Sequence, residues 1–365
     1  MDRRRFLRTL ALTAGGVWAS RWTFAAEVSD SLVLPCRLHL NESFLGPSPE
    51  VSNCLHRNVR EVALYPDVER RELKALIAWH HQVEPNQVIV GCGSTEILLT
   101  MLLETAQHSG HVLMTQPGFH LLRAMADLVK VPIETAHRTP DGSLDLEAFL
   151  ARATEPGSIA YLSNPDNPTG HHIDSSKLAH AVSRTRSLAS LLVVDEAYLQ
   201  FAEGVGTDGC LQLARQGHAL VIRTFSKLHG LAGLRVGYGV GAPDLIARLE
   251  RRTLPGGVGR MAEIALKQAL DDSSHLENAR RVTQASMTAL KKGLDEIGIK
   301  TAENPAPFLL APIGPSRDDV ARKLSQGGIL VHSPDDAPES IRISAGDSDS
   351  QKRLLTTLAK ELGHR

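Results

Sequence analysis

A lysine sits among hydroxyls in Arg223-Thr224-Phe225-Ser226-Lys227, and the run Leu231-Ala232-Gly233-Leu234-Arg235-Val236-Gly237 brings an arginine eight residues later. A lysine attacks a carbonyl to form a Schiff base only when its amine is neutral. That requires a largely desolvated site and neighbouring positive charge. Hydroxyls and a guanidinium suit a phosphate, which takes several charge-assisted hydrogen bonds. A surface loop would explain the lysine but not the whole string.

Val193-Val194-Asp195-Glu196-Ala197-Tyr198 closes an apolar run with an acid. Burying that acid is costly unless it meets a cation. A protonated pyridine nitrogen is such a cation, and a ring so protonated stabilises a carbanion. A helix N-cap is the plainer use of the aspartate. Asn164-Pro165-Asp166-Asn167-Pro168-Thr169-Gly170 makes a rigid turn able to hold Asn167 in a fixed direction. Gly91-Cys92-Gly93-Ser94-Thr95-Glu96 is a glycine-rich bend opening a helix, where backbone N–H groups and the helix dipole favour a phosphate. It is not a G-x-G-x-x-G pattern, so a nicotinamide or flavin cofactor is disfavoured. A lysine for a carbonyl, a cradle for a phosphate and an acid for a ring nitrogen together point to pyridoxal 5'-phosphate.

The elements that must position these groups alternate. Strand-like runs fall at 87–91, 111–115, 159–163, 191–195, 220–224 and 236–240, with amphipathic stretches at 95–107, 118–128, 144–153 and 175–187. Alternation of this kind predicts an α/β domain with a mainly parallel sheet, whose ligands sit at the carboxyl ends of the strands. Past residue 272 the pattern changes. A helix over 274–297 leads into runs at 308–312, 328–332 and 341–344, with helices at 317–326 and 350–362. This reads as a smaller α/β lobe.

Taken in order, these motifs resemble those of fold-type I pyridoxal-phosphate enzymes, the class I/II aminotransferase superfamily, in its histidinol-phosphate aminotransferase branch. The likeness runs from about Leu38 to the C-terminus. It implies a large domain with a mainly parallel seven-stranded sheet over 61–272 and a smaller C-terminal α/β domain over 273–365. An N-terminal arm, 27–60, would contribute to the small domain and the substrate mouth. It implies Lys227 as the Schiff-base lysine and proton shuttle, Asp195 at the pyridinium nitrogen, and Asn167 and Tyr198 at the phenolic oxygen. Phe119 would stack on the ring, and Ser94, Thr95, Thr224, Ser226 and Arg235 would hold the phosphate. Tyr65, in Tyr65-Pro66-Asp67, would reach the neighbouring subunit's cofactor phosphate, which implies a homodimer with shared active sites. Arg342, in Ile341-Arg342-Ile343-Ser344, would clamp the substrate's acid group, with Asn41 and Asn167 as further substrate contacts. The small-molecule partners would be an amino donor and a keto-acid acceptor, and no metal is implied.

Two segments depart from the family. Asn41-Glu42-Ser43-Phe44-Leu45-Gly46-Pro47-Ser48-Pro49 carries Ser43-Phe44 where Asn-Pro is usual. Pro255-Gly256-Gly257-Val258-Gly259-Arg260 replaces an Asn-Val-Asn-like stretch. Both lie near the substrate mouth in the family, so the resemblance alone does not make histidinol phosphate the substrate. Arg251, Arg252 and Arg260 are candidates to recognise a distal acid, against solvated helix ends as the plainer reading.

Residues 1–26 read as a targeting segment. Arg3-Arg4-Arg5-Phe6-Leu7-Arg8 resembles the bacterial twin-arginine export signal, and Ala25-Ala26 supplies small residues for cleavage. The uncharged stretch is too short for a stable membrane span. A periplasmic enzyme, exported folded by the twin-arginine machinery, is therefore expected, with a cytoplasmic location as the alternative. The chain of 365 residues has a formal net charge of -1, which offers nothing to nucleic acid or a membrane surface. The four cysteines include no C-x-x-C pair; an oxidising compartment would permit a disulfide between Cys36 and Cys54, but four unpaired thiols are the plainer expectation, since a domain of this size needs no staple. The other functions open to these motifs are a decarboxylase resembling threonine-phosphate decarboxylase and a non-catalytic cofactor-binding protein.

Overall fold

The central strands of this protein are short, apolar and without polar alternation, as strands covered on both faces must be. In the computed structural model, which describes residues 35–139, 142–185, 190–202, 208–270 and 272–363, they form one seven-stranded sheet of order β2-β8-β7-β6-β5-β3-β4. Its members are β2 (Val88–Cys92), β3 (Val112–Gln116), β4 (Ile133–His137), β5 (Ile159–Ser163), β6 (Leu191–Asp195), β7 (Ala219–Thr224) and β8 (Val236–Val240). Alternate residues feed two separate cores: Leu113, Ala160, Leu192 and Val221 pack on one face, Val112, Ile159, Val193 and Leu220 on the other. The targeting segment expected at 1–26 lies outside the described residues.

All neighbours pair in parallel except β8, which runs antiparallel to both β2 and β7. This reversal matters for the site. The carboxyl ends of β2, β3, β5, β6 and β7 share one edge of the sheet, and β8 brings its amino end, preceded by Arg235, to that same edge. β4 was not legible as a strand. It is an outer strand whose residues Ile-Glu-Thr-Ala-His are mostly exposed or half-buried, so no apolar run marks it.

A third core gathers around two small sheets. β1 (Cys36–Leu38) pairs in parallel with β10 (Ile329–Val331), and β9 (Phe308–Pro312) pairs antiparallel with β11 (Ser340–Ser344). Cys36 and Leu38 join Leu290, Leu309, Leu324, Ile343 and Leu354 in one apolar cluster. The start of the described chain is thus packed into its last third. The helix Ser273–Glu296 runs beside this lobe, its N-cap Asp272 accepting from the His275 amide. The four cysteines are free thiols.

Candidate active site

Lys227 follows β7, every residue of which is buried. Arg223, near the end of that strand, pairs with Glu196 at 2.8 Å beneath the surface, so the exits of β6 and β7 are tied together. Thr224 Oγ1 accepts from the Ser226 amide at 3.1 Å and donates to Ser226 Oγ at 3.0 Å. Phe225 and Leu228, each 1% exposed, lock the turn on either side of the lysine. Lys227 Nζ donates to the Leu40 carbonyl at 2.8 Å and lies 5.7 Å from the centre of the Tyr198 ring. Burial, and after it the charge of Arg342, pushes the amine down to about 7. A large fraction is therefore neutral and nucleophilic near neutral pH.

Asp195 ends β6 and is 4% exposed. Its Oδ1 accepts from the Ala197 amide at 3.1 Å and its Oδ2 from the Tyr161 hydroxyl at 2.9 Å. No cationic side chain forms a salt bridge with it among the described residues, and burial pushes its carboxyl up to about 6. Three residues on, the Tyr198 hydroxyl accepts from Asn41 Nδ2 at 2.9 Å and from Asn167 Nδ2 at 3.5 Å. Asn167 Oδ1 in turn accepts from Arg342 Nη1 at 2.6 Å, and Arg342 Nη2 donates to the His39 carbonyl at 2.6 Å. Arg342, in the middle of β11, is 3% exposed, and its Nε has no hydrogen-bond partner among the described residues. No carboxylate forms a salt bridge with it there either. A buried guanidinium in that condition is a site for an anion.

The opposite end of the cleft is a cradle. The helix Gly93–Gln107 opens directly off β2 with Gly93 at φ +68°. A Cβ on Gly93 would lie 2.3 Å from Arg235 Nη2, so glycine is what lets the guanidinium cover the helix N-terminus. A Cβ on Gly237 would lie 2.4 Å from the Ser94 amide, so glycine is needed there too. Arg235 Nη1 donates to Ser226 Oγ at 3.3 Å, and no carboxylate pairs with Arg235 among the described residues. Amides, hydroxyls and an unneutralised guanidinium converge as a phosphate requires.

These groups share one cleft of about 1550 Å³, room for a cofactor and a substrate together. Asn41, Ser94, Thr95, Phe119, Asn167, Asp195, Tyr198, Thr224, Ser226, Lys227, Arg235 and Arg342 all line it. Tyr65 does not. It follows the short helix Val59–Ala63 and is 94% exposed on the chain's own surface. The arginines expected to read a distal acid are elsewhere. Arg260 is paired with Glu61 and Glu263, Arg252 with Glu104, and Arg251 is exposed at a helix end. None of the three lines the cleft, and two are already neutralised, so none reads a distal acid within its own chain.

Several lining residues carried no signal in the sequence. His39, His120 and His332 come from the N-terminal arm, the helix His120–Val129 and the loop after β10. The His120 and His332 rings lie 4.6 Å apart. Burial is the first cause holding them down to about 4 and about 2, with the Arg342 charge second. Burial, then Arg37, holds His39 to about 4. At neutral pH all are uncharged, so the positive charge beside them is that of Arg342 and of Arg123, which also lines the cleft. Nothing in the spacing of 39, 120 and 332 announces that they meet.

A cradle for a dianion, a carboxylate for a ring cation and a half-neutral lysine between them fit pyridoxal phosphate, on the sheet topology of fold-type I enzymes. The sequence profile of the family "Aminotransferase class I and II" matches residues 41–358, and the chain belongs to that family. It is 30% identical over 329 residues to the histidinol-phosphate aminotransferase of Geobacillus sp., covering 89% of this chain and 90% of that protein. It is 31% identical over 324 residues to the aromatic amino acid aminotransferase of Mycolicibacterium paratuberculosis, covering 87% and 90%. The solved histidinol-phosphate aminotransferase of Sinorhizobium meliloti, in complex with pyridoxal-5'-phosphate, superposes with a TM-score of 0.81 over 90% of this chain and 91% of that one. At 24% identity that likeness is one of fold. The protein is a pyridoxal-phosphate-dependent transaminase.

Proposed function

We propose that this transaminase takes an amino acid, or a metabolite bearing an amino-acid group, whose acid group docks on Arg342. The observation that carries this reading is the buried Arg342 guanidinium, held by Asn167 and the His39 carbonyl and paired with no carboxylate among the described residues. A planar acid group offers it two parallel hydrogen bonds and fixes the orientation of the α-carbon toward Lys227.

Pyridoxal phosphate, when bound, supplies a carbonyl for the amino group and a ring that spreads the negative charge developing at the α-carbon. The chain's own residues do the rest. Ser94, Thr95, Thr224, Ser226 and Arg235 hold the phosphate, and Asp195 holds the ring nitrogen protonated. Asn167 and Tyr198 hydrogen-bond the phenolic oxygen, and Phe119 covers one ring face. Lys227, its amine near neutrality, anchors the cofactor covalently. With the cofactor in place, the Lys227 amine would be the group positioned to carry a proton to and from the substrate's α-carbon. Asn41 closes the substrate end.

The chain acts as a homodimer in this reading, with Tyr65 of each subunit reaching its partner's phosphate site. The 94% exposure of an aromatic ring with a polar tip supports it. The mature protein works in the periplasm, a placement supported by Arg3-Arg4-Arg5-Phe6-Leu7-Arg8. The relatives named for histidinol phosphate and for aromatic amino acids make those compounds the first donors to try.

The test is a donor screen without an acceptor. Purified holoenzyme releases one keto acid per site, and the cofactor absorbance shifts, if the reading holds. Release of carbon dioxide instead assigns a decarboxylase, and no reaction with any amino compound leaves a binding protein. Fractionation of cells, with Arg3→Lys and Arg4→Lys as the control, tests the compartment.

A further inference from the structure

Tyr161 sits where a phenylalanine would serve the packing equally well. It is 2% exposed, in the middle of β5, and belongs to the apolar cluster formed by Ile159, Val193 and Met114. A hydroxyl in such a place is costly unless it finds a partner. Its partner is Asp195 Oδ2, at 2.9 Å.

The sheet register makes the contact possible. In the parallel pair β5–β6, Ser163 stands opposite Asp195 and Tyr161 opposite Val193. Residues two apart on a strand share a face, so Tyr161 lies on the Asp195 face, roughly 7 Å behind it along the strand. A tyrosine side chain spans that gap and brings its hydroxyl to the back of the carboxylate. With the Ala197 amide on Oδ1, both oxygens are fixed in place and each keeps a lone pair for the cleft.

We propose that Tyr161 is a positioning residue for the cofactor: its phenol keeps the Asp195 carboxylate ionised and aimed, so that the proton between them stays on the ring nitrogen. The inference rests on Asp195 being the ring-nitrogen partner. Burial drives the Asp195 carboxyl up to about 6, and the phenol first, then the Ala197 amide and the Lys227 charge, pull against it. The phenol donates to one carboxylate oxygen and the Ala197 amide to the other, and donors to a carboxylate favour its charged form. Without the phenol the carboxylate becomes the stronger base, takes the proton, and leaves an uncharged ring nitrogen that is a weaker electron sink.

The experiment uses holoenzyme with and without Tyr161→Phe, each also in an Asp195→Asn background, and reads two quantities other than turnover. These are the affinity for pyridoxal phosphate and the 15N resonance of the labelled ring nitrogen. Tyr161→Phe is expected to weaken cofactor binding on the order of 10-fold. It should also move the resonance from the pyridinium toward the free-pyridine position. In the Asp195→Asn background the same substitution is expected to change neither. An unchanged resonance in Tyr161→Phe, or an equal loss of affinity in both backgrounds, overturns the inference and leaves the Asp195 assignment standing. An Asp195→Asn variant that binds the cofactor as tightly as the parent overturns both. If Tyr161→Phe does not fold, 3-fluorotyrosine placed at position 161 alone takes its role. The more acidic phenol is expected to shift the resonance further toward pyridinium, and no shift overturns the proposal.

Discussion

Gly93 and Arg235 hold their positions only as a pair, because a Cβ on the glycine would lie 2.3 Å from the guanidinium Nη2. The glycine also sits at φ +68°, where an L side chain is strained. Gly93→Ala is therefore expected to cost about 1–3 kcal/mol and to displace Arg235 from the cradle. Thermal melts with and without pyridoxal phosphate check this: the gap between the two curves should shrink, and by more than the apo-protein's own loss accounts for.

Lys227→Ala should abolish the visible absorbance of covalently held cofactor and reduce transamination by several orders of magnitude. Pyridoxal phosphate should still bind, more weakly, through the Arg235 cradle. A spectrum unchanged from the parent would refute the assignment of Lys227.

Arg342→Lys keeps a positive charge but loses the paired donors of the planar fork. We expect kcat/KM for an amino acid donor to fall about 10- to 100-fold, chiefly through KM. The corresponding amine, which lacks the acid group, should be affected little. Equal losses for the acid and the amine would show that Arg342 acts on the fold rather than on the substrate.

The lowered Lys227 amine has a pH signature. Its pKa is brought from 10.5 down to about 7, so the folded apo-protein binds fewer protons than the unfolded chain between those values. From this group, stability rises with pH across that window, and below pH 7 the full penalty remains. In the proposed function the amine is also the nucleophile that captures the cofactor. Reconstitution of apo-protein should level off above pH 7 and slow about tenfold per unit below it. Stopped-flow mixing with pyridoxal phosphate at constant ionic strength checks the profile.

If Tyr65 serves the partner's site, Tyr65→Ala and Lys227→Ala subunits complement one another. A mixture of the two inactive proteins, unfolded and refolded together, should recover about one quarter of parental activity, because half the dimers are mixed and each has one intact site. No recovery would assign Tyr65 to its own subunit or to the surface.

The chemistry of this chain was legible because it is local. Thr224, Ser226, Lys227 and Arg235 fall within one stretch, and Asp195 with Tyr198 within another. Strands covered on both faces announce themselves as apolar runs, so the residues at their ends could be read as site residues. β4, an outer strand of mixed polarity, had no such mark. Tyr161 was hidden for the opposite reason: in a buried strand its aromatic ring looks like packing, and only the register with β6 gives its hydroxyl a task. Arg251, Arg252 and Arg260 were candidates only because cations cluster near the expected mouth, and the plainer reading, a solvated helix end, describes Arg251. Charge near a mouth says nothing about which carboxylates, here Glu61, Glu104 and Glu263, already hold it.

The sequence by itself determined the fold class and the cofactor, and it singled out Lys227 as the candidate to hold that cofactor, since those follow from residue types in a fixed order at strand ends. Only the tertiary structure decided the neighbourhood. It set Arg342 of β11 against Asn167 and the His39 carbonyl. It gathered His39, His120 and His332 into one uncharged wall, and it put a phenol behind Asp195. Those contacts join elements tens to hundreds of residues apart, and only the packing of the sheets against one another brings such residues to hydrogen-bonding distance.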